Sequence, residues 1–207
     1  MHKLFFFVLT FLLFSCNDKK IFLPLADTTI VSDIKDHSPV YIFFKTDKKD
    51  TIAEVNRKNT ISTTNWIFNI DKRLPLKIII PEIIKLQEKK NSSAHKNKES
   101  ENYFSYSNNI KKSLAFLSFT NTHYYFDKKP KSDVIIFFNK KNEVFINTIL
   151  VKKSELEKQL STLISTTYIL CFDKNCSYES YIENKIFIEK LKKSNAKLNI
   201  SNEEFIF

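Results

Sequence analysis

The 207-residue chain contains no glycine. Motifs that bring bare backbone against phosphate are therefore excluded: a Walker A loop, a dinucleotide fingerprint and a glycine-containing nucleophile elbow cannot be written with these residues. Arginine is nearly absent too. Of the 33 Lys and Arg residues only Arg57 and Arg73 are arginines, so bidentate reading of bases has little material, and nucleic acid is not an expected partner. The four histidines, His2, His37, His95 and His123, lack metal-ligand spacing, so neither a metal nor another cofactor is expected.

Apolar residues make up 43% of the chain and aromatic residues 14%, enough for a packed core of one ordinary domain or two small ones. The net charge is +10, carried by lysines that are scattered or paired with acids and not gathered into a block. Such a diffuse cationic surface favours anionic lipid headgroups or cell-wall polymers, by an attraction that salt weakens.

Residues 1–15 read MHKLFFFVLTFLLFS, with an apolar stretch of eleven residues at 4–14 broken only by Thr10. Eleven helical residues rise about 16 Å, roughly half the hydrocarbon thickness, so the segment reads as a signal peptide and not as a spanning helix. The sequence Leu13-Phe14-Ser15-Cys16 then resembles the lipobox of bacterial lipoproteins. The resemblance implies that Cys16 becomes the acylated first residue of the mature chain, anchored by palmitate-type chains to a cell-envelope membrane and facing the periplasm. Loss of residues 1–15 removes Lys3 alone among the charges, leaving +9.

Beyond it the chain reads as an α+β protein: one or more small sandwiches of mixed sheet packed by helices, either as two related halves or with a chance likeness between apolar strands that end in Asp-Lys turns. Residues 16–38 read as a lipidated tether, 39–90 as a first block, 91–112 as a polar linker or loop and 113–207 as a second block. Strands are expected at 40–44, 51–55, 66–70 and 77–80, with Pro81 opening a helix to about 90. In the second block strands are expected at 114–119, 123–126, 134–138, 143–150, 168–172 and 197–200. Helices capped by Ser154 and Ser177 are interleaved with them. The residues VYIFF at 40–44 echo VIIFF at 134–138, and WIFNIDK at 66–72 echoes YILCFDK at 168–174, at offsets of 94 and 102.

From about residue 133, a hairpin, a helix, the segment YILCFDK and Ser177-Tyr178 opening the last helix look like the periplasmic domain of the ExbD/TolR family. The resemblance implies a domain that contacts envelope proteins or peptidoglycan beside an energised motor. The chain departs from the family in having no carboxylate in its apolar segment, so it cannot itself conduct protons. Ser194-Asn195 also stand where the family has a glycine, and asparagine tolerates the left-handed conformation needed there.

No catalytic constellation stands out, and the sequence reads as a non-catalytic binding or accessory module. Cys171 and Cys176 are close enough in sequence to bridge in an oxidising compartment; the alternative is a buried Cys171 beside a half-exposed Cys176. The expected partner-binding edge is the last strand, Lys197, Leu198, Asn199 and Ile200, since unpaired edges accept strands. Two other readings remain: an envelope hydrolase using His123 with a serine or cysteine, and a solute-binding lipoprotein with a cleft between its halves lined by Trp66 and tyrosines.

Overall fold

The computed structural model describes residues 19–48, 50–95, 97–131, 134–162, 167–196 and 198–207. Apolar, β-branched and aromatic runs form two six-stranded mixed sheets. The first comprises β1 (Leu25–Ala26), β2 (His37–Asp47), β3 (Asp50–Asn56), β4 (Asn65–Ile70), β5 (Asn102–Asn108) and β6 (Ser113–Ser118). Its order is β1-β5-β4-β2-β3, with β6 on the other side of β5. The second comprises β7 (His123–Phe126), β8 (Ile135–Phe138), β9 (Val144–Ile146), β10 (Ile149–Val151), β11 (Tyr168–Phe172) and β12 (Ile200–Ile206), in the order β10-β9-β8-β11-β12-β7. The helices are α1 (Leu76–Asn91), α2 (Leu156–Thr162) and α3 (Tyr178–Ser194). No helix of the described residues is long and apolar enough to cross a membrane.

The two halves share the topology of a central unit. In the first, β2 pairs β3 antiparallel and β4 in parallel, and after α1 the chain returns as β5, parallel to β4. In the second, β8 pairs β9 antiparallel and β11 in parallel, and after α3 it returns as β12, parallel to β11. The halves meet at their Asp-Lys turns. The Leu76 N–H donates to Cys176 O (2.9 Å) and the Tyr178 N–H to Leu74 O (2.8 Å), while the Lys77 N–H donates to Lys174 O (2.7 Å) and the Glu179 N–H to Lys72 O (3.1 Å). These bonds are reciprocal between positions 102 residues apart, as a local two-fold relation requires. In the hairpin strands the register places Val40 opposite Phe68 and Ile136 opposite Leu170. The equivalent of Val40 is therefore Ile136 and not Val134, a two-residue shift that keeps the same face inward.

One core runs through both halves. Tyr181 of α3 touches Phe104 of the first sheet (ring centroids 6.1 Å apart) and Phe172 of the second (4.9 Å), and α1, α2 and α3 all contribute buried residues to the same cluster. Smaller clusters cover the other sheet faces, around Ile67 and Phe116 and around Cys171 and Phe205.

Several boundaries differ from expectation. The described part of the expected tether is integral to the fold: Phe22 O accepts from the Lys72 N–H at 2.7 Å, β1 pairs β5, and Val31 bridges Phe116. The expected linker 91–112 contains the buried strand β5, whose polar composition hid its alternation. Phe104 and Tyr106 face the core, while the buried Ser105 and Asn108 are hydrogen-bonded to Asn69 and Thr29. The strands expected together at 114–126 split between the sheets as β6 and β7. Residues 77–80 are helical, not extended, and Pro81 lies inside α1. Ser154 sits in a 3₁₀ turn, Lys153–Glu155, that leads into α2, and Asn147 (φ 55°) divides the expected strand 143–150 into β9 and β10. Without glycine, left-handed turns fall to Asp36, Lys48, Lys112, Asp127, Asn142 and Asn147. Asn195 is extended (φ −132°) and not left-handed.

Candidate functional site

The Asn56 side-chain oxygen accepts the Lys58 N–H (3.2 Å) and the Arg57 carbonyl accepts from Thr60 N–H and Oγ1 (3.2 and 2.9 Å), so the chain turns sharply after β3. The loop is then fastened to the sheet. Ser38 Oγ meets Thr64 Oγ1 at 2.7 Å and accepts the Ile61 N–H at 3.1 Å, and Trp66 Nε1 donates to Ile61 O at 2.8 Å. Beneath the indole lies Lys90, in the last turn of α1, buried with its ammonium 5.4 Å from the ring centroid. It donates to Glu101 O (2.9 Å) and Asn102 Oδ1 (3.1 Å).

These pieces enclose an open cleft of about 700 Å³ between β3, the 57–64 loop and the end of α1. Five cations line it, Lys19, Arg57, Lys58, Lys89 and Lys90, against one carboxylate, Glu54, which is paired with Lys19. Among the described residues no acid lies within ion-pair distance of Arg57, Lys58 or Lys89. Thr60, Ser62 and Ser93 add hydroxyls. The other arginine is neutralised: Arg73 grips the buried Asp71 with two bonds (Nε to Oδ1 2.8 Å, Nη2 to Oδ2 2.9 Å) and lies over the rings of Phe22 and Phe44. The cleft thus offers fixed positive charge and hydrogen-bond donors, the chemistry of anion binding.

Of the residues singled out from sequence, Cys16 lies outside those described. Cys171 and Cys176 are free thiols. They belong to different clusters, Cys171 on the outer sheet face and Cys176 in the main core, so no bridge joins them. Cys176 is buried and not half-exposed. Burial, reinforced by Glu204 for Cys171 and by Asp173 for Cys176, pushes both thiols up to about 12.

Of the expected partner edge only Ile200 lies in a described strand, and its β11 side is occupied. Lys197 lies outside the described residues, Leu198 closes the turn after α3, the Asn199 carbonyl accepts the Tyr168 N–H at 2.9 Å, and Ile200 opens β12 opposite Tyr168. That strand is flanked by β11 and, from Glu203 onward, by β7. The polar residues after α3 continue its C-terminal turn, with the Leu198 N–H donating to Asn195 O.

His123 is exposed at the start of β7, and among the described residues no histidine is hydrogen-bonded to a serine or cysteine. Trp66 does line a cleft, but the cleft belongs to the first half alone. Tyr124, Tyr178 and Tyr181 point into the interior, where burial, aided for Tyr124 and Tyr181 by Glu204, holds their hydroxyls well above the ordinary value of 10. Among the described residues no group of three His, Cys, Asp or Glu is placed to hold a metal ion.

The cationic side chains of the cleft were not singled out from sequence, where they pass for scattered surface lysines. One signal could have found them: Arg57 is one of two arginines and is followed by Lys58 in a polar loop. No family model, curated protein or solved structure matches the chain.

Proposed function

We propose that this protein is a non-catalytic, lipid-anchored binding module of the bacterial cell envelope. Its anchor is Cys16, and it binds an anionic envelope component in the cleft of Arg57, Lys58 and Lys89. The observation that carries the reading is the uncompensated charge of that cleft. Permanently charged cations and hydroxyls hold an anion without moving a proton near neutral pH. The lipobox-like Leu13-Phe14-Ser15-Cys16 supports the anchor. The ExbD/TolR-like order of the second half supports an accessory role beside an energised envelope motor, with a protein component or peptidoglycan as partner.

Radiolabelled palmitate is expected to enter the wild-type chain and not the Cys16→Ser variant; absence of label from the wild type contradicts the anchor. After mild cross-linking of whole cells, the anchored protein is expected to co-purify with a motor component or with peptidoglycan fragments. Recovery with neither contradicts the accessory role.

A further inference from the structure

We infer that the basic cleft docks on anionic phospholipid headgroups of the same membrane that holds the acyl chains; this rests on acylation of Cys16. Two independent observations lead there. The first is reach. Only Asn17 and Asp18 separate Cys16 from Lys19. Lys19 already belongs to the fold, paired with Glu54 at the rim of the cleft. Three residue steps span at most about 10–11 Å of extended chain, close to the screening length of about 8–10 Å at physiological salt. A body tied this closely cannot swing clear of the bilayer, and the surface beside Lys19 is the one brought against it.

The second is charge. That surface carries Arg57, Lys58 and Lys89 without acidic partners among the described residues, with Thr60, Ser62 and Ser93 beside them. A guanidinium fork and exposed ammonium groups around a concave cleft suit the phosphate of a headgroup. Near an anionic surface each such cation favours association about fivefold, so three together favour it about 100-fold. The acyl chains hold the molecule and the cleft sets its orientation, much as stable attachment elsewhere combines lipid with a basic patch.

The chain supplies its own probe, since its one tryptophan, Trp66, forms the floor of the cleft. The acylated mature protein, its lipid confirmed by mass, is reconstituted into phosphatidylcholine vesicles with or without phosphatidylglycerol. A small fraction of the lipid carries a nitroxide on the headgroup. Strong quenching of Trp66 is expected only with phosphatidylglycerol, reversed by high salt. In Arg57→Gln/Lys58→Gln/Lys89→Gln it should fall to the phosphatidylcholine level, with near-UV circular dichroism unchanged. A control that removes the same charge elsewhere, Lys140→Gln/Lys141→Gln/Lys158→Gln, should keep it.

Equal quenching in both vesicle types, or equal loss in both triple variants, overturns the inference, as does displacement by millimolar inorganic phosphate, which would mark a free-phosphate site. Lack of the acyl mass defeats the anchor itself. An acylated protein with unquenched Trp66 defeats only the docking.

Discussion

Glu204 is 1% exposed and stands opposite Leu170 in the second sheet, the place that Phe104 holds opposite Phe68 in the first. Its partner Lys185, on α3, likewise replaces the Ile83 of α1. One half thus packs an apolar pair where the other encloses an ion pair, which Tyr181 extends by donating to Glu204 Oε2 at 2.8 Å and meeting Tyr124 at 3.1 Å. Removing one charge leaves the other buried and uncompensated, whereas an apolar pair needs no compensation. Lys185→Met is therefore expected to cost about 3–5 kcal/mol in urea unfolding. Lys185→Met/Glu204→Leu should recover most of that loss, and additive losses would contradict the coupling.

Asp71 behaves differently. Burial pushes its carboxyl up, but hydrogen bonds from the Arg73 side chain and from the Arg73 and Phe22 N–H groups outweigh that and hold it below its ordinary 3.8. A carboxyl lowered in the folded state adds stability that is present above its unfolded value and lost as pH falls through its folded one. The stability difference between the wild type and Asp71→Asn should therefore be constant above about pH 5 and shrink below pH 4. A difference that grows on acidification contradicts this assignment.

At the scale of elements, the helix N-termini show what sequence could and could not reveal. Ser177 is legible as a cap, and its hydroxyl accepts the Ser180 N–H at 3.2 Å. Ser177→Ala should cost about 1 kcal/mol in thermal or urea unfolding, and a loss below the experimental error would show that the cross-half bonds suffice. Leu76 has no such signal. Pro75 offers no side-chain cap, and the first two N–H groups of α1 are satisfied by carbonyls of Cys176 and Lys174, a hundred residues away in sequence. Local patterning therefore points to a strand over 77–80 and a helix start at Pro81, where the cross-half bonds start the helix at Leu76. Strands β2, β8 and β11 were legible because each holds an uninterrupted apolar run of four or five residues, and β4 because only Asn69 breaks its run. β5 was not, because its polar residues are matched by partners from distant elements.

At the scale of the molecule, the repeated topology was visible in the echo WIFNIDK/YILCFDK, but the interlocking of the halves was not, since a local offset cannot report reciprocal bonds between them. The cleft was equally hidden: Arg57 and Lys58 come from a loop, Lys89 and Lys90 from a helix end and Lys19 from the segment read as tether. Only folding brings these charges together. Because one core spans both sheets, the chain should unfold as a unit. Trp66 fluorescence reports the first half and far-UV circular dichroism reports the whole. Their urea transitions should coincide, and separated transitions would contradict a shared core.

The anchor is the claim on which the membrane-facing role of the cleft depends. Its most direct test is the intact mass of the protein extracted from cell membranes, followed by sequencing of its first peptide. The account predicts a chain that begins at Cys16 and carries the added mass of acyl groups on that residue; a chain that begins elsewhere, or an unmodified Cys16, would contradict it.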